Sequence, residues 1–496
     1  MKRVVITDLR TVEMREARQD LAQRGCEVLT VPPEIRLWEE EPLRRFAETC
    51  GELDGVIHPA PPLFRCPLEA AREDEFAAAR DEGALAAWCV TKAFGDRLRK
   101  QGRGSLIYVN SVHAEKPVGE GFLFSAGCGA VQMLSREVSQ DYGPHGVNSF
   151  FIQRGPGRED PDGQSDVSHF YYGADLRYPL RRFPDPGNLN GLLAFLLTPE
   201  AGILSGSDLR ADGGMTLYYG ERAEEPAPAV ELKRIPWSPE AKDPEGEDRV
   251  AVVTGSGKGV GAGIVRVLAK AGIRCVINCN SNRALAEKTL AEIREMGGEA
   301  LIAQADVSDP AQCEALVRAA VERYGRLDIL VNNAAMQYNR FVDQYDAPLL
   351  RSLWDVNVGG YWRMIKYALP ALRKSPRGRI VNIGSVHGKR PTCFDAGYAM
   401  TKGAVRMLTR EAALELHADG IQVNSVTLGG CWIEFKTGTP PFPNRRPPEV
   451  SNPSMRIGRG LVQPEEVGEL VRWLVTEAPE AMTGDAVRID CGQMLW

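Results

Sequence analysis

Two residues with chemistry to offer stand four positions apart in YAMTKGAVRML, Tyr398 and Lys402. On a helix that spacing puts both on one face, one turn apart. A phenol with a pKa of about 10 is a poor base at neutral pH. A neighbouring ammonium stabilises the phenolate and lowers that value, so the pair can carry a proton to or from an oxygen. Ser385 lies thirteen positions before Tyr398, at the end of the apolar run RIVNIGSV, and His387 follows it. A Gly-rich stretch, TGSGKGVG from Thr254 to Gly261, sits between VAVV and the helical pattern AGIVRVLAKAG. Such glycines let the backbone turn sharply against a pyrophosphate, which rests on the free N–H groups of the helix N-terminus. It is not a P-loop, because Lys258 precedes Gly259 instead of following the last glycine before a Ser or Thr.

The elements that must hold these residues alternate between short β-branched runs and helical patterns. After Asp248 the runs are VAVVTG, RCVINC, ALIAQAD, LDILVNN, RIVNIGS and IQVNSVT. Continuous apolar runs are strands buried on both faces, and their alternation with helices predicts an α/β fold with a parallel, doubly wound sheet. The pattern occurs twice. FSAGCGAVQML (Phe124 to Leu134) repeats YAMTKGAVRML, LIYVNSV (Leu106 to Val112) repeats RIVNIGSV, and RVVITD (Arg3 to Asp8) repeats RVAVVTG. A repeat of this length is a duplicated domain, so two tandem Rossmann-type domains are expected. We place them at residues 1–220 and 248–496, joined by a Pro/Glu-rich linker at 221–247.

The second copy resembles the short-chain dehydrogenase/reductase family over nearly all of Asp248 to Trp496. TGxxxGxG is the family's glycine spacing. Asp306-Val307 is similar to its adenine-contacting pair, and Asn332-Asn333-Ala334-Ala335 to its NNAG motif, with Ala335 in place of the usual glycine. Asn357, in WDVNVGG, and the set Ser385, Tyr398 and Lys402 match its catalytic residues. The resemblance implies an NAD(P)-dependent oxidoreductase that interconverts a carbonyl and a secondary alcohol. Tyr398 would be the general acid/base, and Lys402 would tune it and hydrogen-bond the nicotinamide ribose. Ser385 would hold the substrate oxygen, and Asn357 would anchor a relaying water. Cofactor contacts are expected from Gly255, Lys258, Gly259, Val260, Gly261, Asn280, Asp306, Val307, Asn333 and Ala334, with Tyr398 and Lys402.

The second strand of this copy ends INCNSN, with Cys279 where an acidic residue would take the ribose 2′-OH of NAD. Together with the basic Lys258 this favours NADP(H) over NAD(H). A Pro-rich stretch after Leu428-Gly429 reads as a lid. In it Trp432 and Phe435 would supply an apolar wall, and Lys436, Arg445 and Arg446 either meet an anionic or polyol group or solvate a loop. His387 is placed on the substrate side. A 3-oxoacyl or small-ketone reductase is the leading reading, and a sugar 1-dehydrogenase of the glucose type is the alternative. A non-catalytic NADP-binding regulator is the alternative from another class.

In the first copy Asp8, Val12 and Met14 align with the three family glycines, IHPAP (Ile57 to Pro61) replaces NNAG, and Phe124 and Cys128 replace the Tyr and Lys. This predicts a fold without the family's chemistry. High-molecular-weight 3-oxoacyl carrier-protein reductases have a similar layout. What persists, GAVxML and the following Arg-Glu, lies away from the catalytic positions. The expectation is an intrachain pseudo-dimer with the first domain as a structural partner, a further homodimer being left open.

Composition agrees with this. The 496 residues exceed one core, and 43% apolar with 25% charged is ordinary globular usage. A net charge of −6 gives no reason to expect nucleic acid or an anionic membrane as partner, and no apolar run is long enough to span a bilayer. Eleven cysteines, scattered without CxxC pairs, and an N-terminus without an apolar signal region predict a reduced, cytoplasmic protein.

Overall fold

The protein is described from a computed structural model covering residues 1–61, 63–155, 186–212, 248–391, 395–432, 461–479, 482–491 and 494. The linker, Phe435, Lys436, Arg445 and Arg446 lie outside the described residues.

Two parallel sheets are present. The first consists of β1 (Arg3–Ile6), β2 (Glu27–Thr30), β3 (Gly55–Pro59), β4 (Gly104–Ser111), β5 (Val147–Arg154) and β6 (Asp208–Ala211), in the order β2-β1-β3-β4-β5-β6. The second consists of β7 (Val250–Val253), β8 (Arg274–Cys279), β9 (Ala300–Gln304), β10 (Ile329–Asn332), β11 (Arg379–Ile383), β12 (Gln422–Leu428) and β13 (Ala486–Ile489), in the order β13-β12-β11-β10-β7-β8-β9. VAVV, ILVN and RIVNI are buried along their whole length, as central parallel strands with helices on both faces must be. Strand order reverses between β7 and β10, where Val253 pairs with Ile277 on one side while its neighbour Val252 pairs with Leu330 on the other. A ligand crevice opens at the carboxyl ends of the strands at such a point.

The repeat is not complete. Between β8 and β10 the second copy inserts the helix Arg283–Glu295, the strand β9 and the helix Pro310–Tyr324; between β2 and β3 the first has only the helix Glu40–Thr49. Among the described residues the first sheet therefore lacks a counterpart of β9, and with it the position that Asp306-Val307 occupies in the second.

Internal contacts divide the chain into two compact units. One contains the first sheet and comprises Met1–Phe64, Ala86–Lys116 and Val138–Lys242; the other comprises Arg65–Leu85, Pro117–Glu137 and Asp243–Trp496. Two stretches of the first copy thus belong to the unit of the second sheet.

In that unit the helix Phe122–Tyr142, as far as Glu137, crosses the helix Ala396–Leu416 at Gly129 and Gly403. A Cβ on Gly129 would lie 2.7 Å from the Gly403 carbonyl oxygen, and a Cβ on Gly403 would meet the Gly129 carbonyl in turn, so both positions require glycine for the backbones to touch. Buried Glu411 accepts hydrogen bonds from the Val118 and Gly119 N–H groups, each at 2.9 Å, and from Ser125 Oγ. The Leu68 N–H donates to Glu415 at 2.7 Å. Trp362 stacks on Phe76 with centroids 5.0 Å apart and donates its indole N–H to the Leu68 carbonyl. Arg363, nearly fully buried, pairs with Glu73 at 2.6 Å.

Candidate active site

Val250–Val253 delivers the Gly-rich loop to the switch point. Gly255 has φ +62°, and a Cβ there would come within 2.9 Å of the Ala334 Cα. A Cβ on Gly261 would press on the Gly255 carbonyl at 2.6 Å and on Asn333 Nδ2 at 2.7 Å. The spacing that looked like a nucleotide loop is thus also what lets this loop pack on the segment after β10. Thr254 Oγ1 accepts from the N–H groups of Asn333 (2.8 Å) and Ala334 (3.0 Å), while Asn333 Nδ2 donates to the carbonyls of Thr254 and Gly255. The helix Gly259–Lys270 begins with no side chain capping it, so its first-turn N–H groups stay available to an anion. Lys258, in the N-cap position, is exposed.

Buried Asn278, which the sequence reading missed, ties this loop to β8 and to the end of β9. Its Oδ1 accepts from the Gly255 N–H at 2.9 Å, and its Nδ2 donates to the carbonyls of Ala303 and Ala305. Asn280 Nδ2 donates to Asp306 Oδ2 at 2.9 Å, and Asp306 Oδ1 also accepts from the Ser308 N–H and Oγ. Val307 is buried against Gly360. Cys279 closes β8 in a buried position, where desolvation raises its thiol pKa and the nearby Arg283 guanidinium opposes the rise. Arg283, paired with Glu287 at 3.0 Å, is a cation near Cys279; its position four residues past the strand end was a readable signal. Asn282 caps the helix Arg283–Glu295 by accepting from the Leu285 N–H.

Ser385, Tyr398 and Lys402 come together at the end of β11. Ser385 Oγ accepts from the His387 N–H at 3.2 Å, fixing a tight turn, and lies close enough to the Tyr398 phenol to oppose the rise in its pKa. Lys402 is buried. Its Nζ donates to the Ile383 carbonyl at 2.7 Å and to Tyr361 Oη at 3.3 Å, and lies 5.4 Å from the Tyr398 ring centroid. With two donors engaged, one remains for a ligand. Desolvation dominates both groups. It pushes the Tyr398 phenol up, with the Asp395 carboxylate adding to the rise and Ser385 opposing it, and it pulls the Lys402 ammonium down to about 7. The expected lowering of the phenol by the Lys402 ammonium is not found here, because burial favours the neutral form of each.

Asn357 sits in a π-helical turn, Asp355–Gly359. Its Oδ1 accepts from the Met336 N–H at 2.7 Å, and its Nδ2 donates to the Met336 carbonyl at 2.8 Å and to Thr401 Oγ1 at 3.0 Å. Both amide hydrogens are engaged, so a water it anchors must meet the second lone pair of Oδ1 or the main chain. The turn is held from the first copy: Arg80 pairs with Asp355 at 2.9 Å, and Arg363, itself held by Glu73, donates to the Asp355 carbonyl.

Asp395, also missed, is fully buried at the N-cap of the helix Ala396–Leu416, yet its carboxylate caps no N–H. Oδ2 lies 2.9 Å from His387 Nδ1 and accepts from Gln337 Nε2 at 2.7 Å. The His387 ring meets the Tyr398 ring edge-on with centroids 5.7 Å apart. An acidic residue three positions before the tyrosine was the sequence signal for this group. Trp432 is 61% exposed, with its backbone N–H bonded to the Val462 carbonyl, and does not form a buried wall among the described residues.

The first sheet has a different arrangement at its own switch point. Glu13, in the first turn of the helix Val12–Gln23, is buried and paired with Arg154 at the end of β5. Asp8 is closed on Arg10, accepting from its N–H at 2.8 Å and its Nε at 2.7 Å. A carboxylate of the protein itself thus stands at the helix N-terminus where a phosphate would lie. Phe124 and Cys128, at the positions of the Tyr and Lys, are buried.

Comparison with known proteins agrees with this geometry. Residues 249–439 match the family model described as short chain dehydrogenase, and residues 2–216 match one described as enoyl-(acyl carrier protein) reductase. Over 255 residues, 50% of this chain and 95% of the relative, the chain is 32% identical to glucose 1-dehydrogenase 2 of Bacillus subtilis. It is 33% identical to a 2,5-dichloro-2,5-cyclohexadiene-1,4-diol dehydrogenase of Sphingobium indicum, over 49% of this chain and 95% of that one. It is 30% identical to a 3-oxoacyl-[acyl-carrier-protein] reductase of Synechocystis, over 50% of this chain and 98% of that one.

Proposed function

The chain belongs to the short-chain dehydrogenase/reductase family, and from that premise we propose that its second copy is an NADP(H)-dependent oxidoreductase interconverting a carbonyl and a secondary alcohol. The observation that carries the reading is the meeting of Ser385, Tyr398 and Lys402 at the end of β11, in the same unit as the glycine cradle after β7. The residues fit a dinucleotide: the cradle is one that a Cβ at Gly255 or Gly261 would fill, and the helix behind it has an uncapped N-terminus. Gly259, Val260 and Gly261 would hold the pyrophosphate, and Asp306, Val307, Asn333 and Ala334 the adenosine half. Cys279 in place of a carboxylate, with Arg283 near it and the exposed Lys258 at the head of the loop helix, supports a 2′-phosphate. When bound, the nicotinamide supplies or takes the hydride.

The protein manages the proton. In the reducing direction Ser385 Oγ holds the substrate oxygen and Tyr398 gives it the phenolic proton as the alkoxide develops. Lys402, held in place by Ile383 and Tyr361, presents its remaining donor toward the site and stabilises the phenolate left behind. Asn357 keeps the segment after β10 against Thr401, between Tyr398 and Lys402 in sequence. In the oxidising direction the same groups take the proton away.

The first copy serves as a structural pseudo-subunit. Its helix is retained for the glycine crossing and for the loop held by Glu411, while Glu13 and Arg154 fill its own nucleotide position. The free thiols among the described residues support a cytoplasmic setting. The testing experiment is consumption of NADPH and NADH by the full chain against a panel of 3-oxoacyl thioesters, small ketones and aldoses. Turnover with NADPH preferred is expected. Tight NADPH binding with no turnover of any carbonyl would favour a regulator instead.

A further inference from the structure

The proton transfer just described does not use His387, Asp395 or Gln337, although they lie beside Tyr398. An N-cap aspartate ordinarily turns its carboxylate to the first-turn N–H groups of its helix. Asp395 turns it to His387 Nδ1 and Gln337 Nε2, and its Oδ1 is buried with no partner among the described residues. Where the carboxylate is ionised and the imidazole neutral, Nδ1 carries the hydrogen toward Oδ2 and Nε2 presents a lone pair. No partner for Nε2 is found among the described residues, and 15% of the imidazole side chain is exposed.

The first copy provides an internal comparison. It retains the same Ser-Val-His turn, Ser111 to His113, with Ser111 Oγ accepting from the His113 N–H. Gly121 stands at the position equivalent to Asp395, three before Phe124, and His113 Nδ1 contacts the Lys116 carbonyl instead. The turn alone therefore does not need the carboxylate; the copy that has Tyr398 also has the aspartate.

We propose that Asp395 and His387 form a hydroxyl-recognition station next to Tyr398, selecting substrates with a second hydroxyl on the carbon adjacent to the reacting one, that is, vicinal diols and α-hydroxy ketones. Asp395 fixes the imidazole tautomer, and Nε2 accepts from the neighbouring hydroxyl while Ser385 and Tyr398 hold the reacting oxygen. A carboxylate or phosphate at that place would offer Nε2 no proton and would face the buried Asp395 charge, so the station favours a neutral donor. This deepens the oxidoreductase reading and rests on it.

The test compares oxidation of trans-cyclohexane-1,2-diol with that of cyclohexanol by the full chain with NADP+. Wild type is expected to favour the diol in kcat/KM. In His387→Phe and Asp395→Asn that ratio should fall by about tenfold or more, because a lost hydrogen bond to substrate acts on the diol alone. His387→Gln, which keeps an acceptor, should retain part of it. A ratio unchanged in His387→Phe and Asp395→Asn, or no diol preference in wild type, overturns the proposal. Wild type inert toward both alcohols and their ketones, with either cofactor, would refute the oxidoreductase reading beneath it. The station is then read directly from the His387 imidazole NMR signals. Shifts on adding the diol but not cyclohexanol sustain it; no shift with either overturns it.

Discussion

Glu411 is the residue through which the retained Arg-Glu of the repeat can be tested. Replacing it by Ala removes the acceptor of the Val118 and Gly119 N–H groups and of Ser125 Oγ. The serine hydroxyl can rotate to another partner, but the two backbone donors are fixed by their loop. Each buried donor left unmade costs about 1–3 kcal/mol. Against this, burial pushes the Glu411 carboxyl up, so holding it ionised already costs something that the substitution returns. The net expectation is a loss of about 3 kcal/mol, with Glu411→Gln, which keeps one acceptor oxygen, losing about half as much. A chain of two units need not unfold in one step, so the assay is native-state hydrogen exchange. Protection should fall most at Val118 and Gly119, less in the helix Ala396–Leu416, and least in β11. Protection at Val118 and Gly119 unchanged within about 0.5 kcal/mol in Glu411→Ala would refute the reasoning, since that is the scatter of an inconsequential surface change.

Two further outcomes follow from named residues. Burial holds the Lys402 ammonium down at about 7 in the cofactor-free fold against an ordinary 10.5. Between those values the unfolded chain binds the extra proton, so this residue's contribution makes stability rise as pH increases from about 7 toward 10.5. The difference between wild type and Lys402→Met, followed by denaturation across that range, should show the rise; parallel curves would contradict it. Cys279→Asp puts a carboxylate at the end of β8 and should move the NADPH-to-NADH ratio of kcat/KM toward NADH by about tenfold or more. An unchanged ratio would place the 2′-group elsewhere.

The strands and their doubly wound order were legible because fully buried parallel strands are written as unbroken apolar runs such as VAVV and RIVNI. Tyr398, Lys402, Ser385 and the glycines were legible because their spacing is fixed by one helix turn and one loop. The residues missed act across the fold. Asn278 lies inside a strand whose apolar pattern conceals a side chain bonded to the loop, and Asp395 looks like an ordinary helix cap until its carboxylate is seen on His387. The absent counterpart of β9 was hidden by local similarity on either side of it, which carries no count of the strands between. The glycine of GAV was read as packing without its reason; that reason is a backbone contact with the other copy, visible only once both helices are placed.

The most direct measurement of the central claim is carbonyl-dependent NADPH oxidation by the full chain and by Tyr398→Phe, with cofactor binding followed in parallel. Removing the one phenolic oxygen deletes the proposed proton donor while leaving the ring against His387 and Lys402. The expected result is a fall in kcat of about a hundredfold or more with NADPH still bound, the scale of a lost general acid. Turnover in Tyr398→Phe equal to wild type would contradict the account.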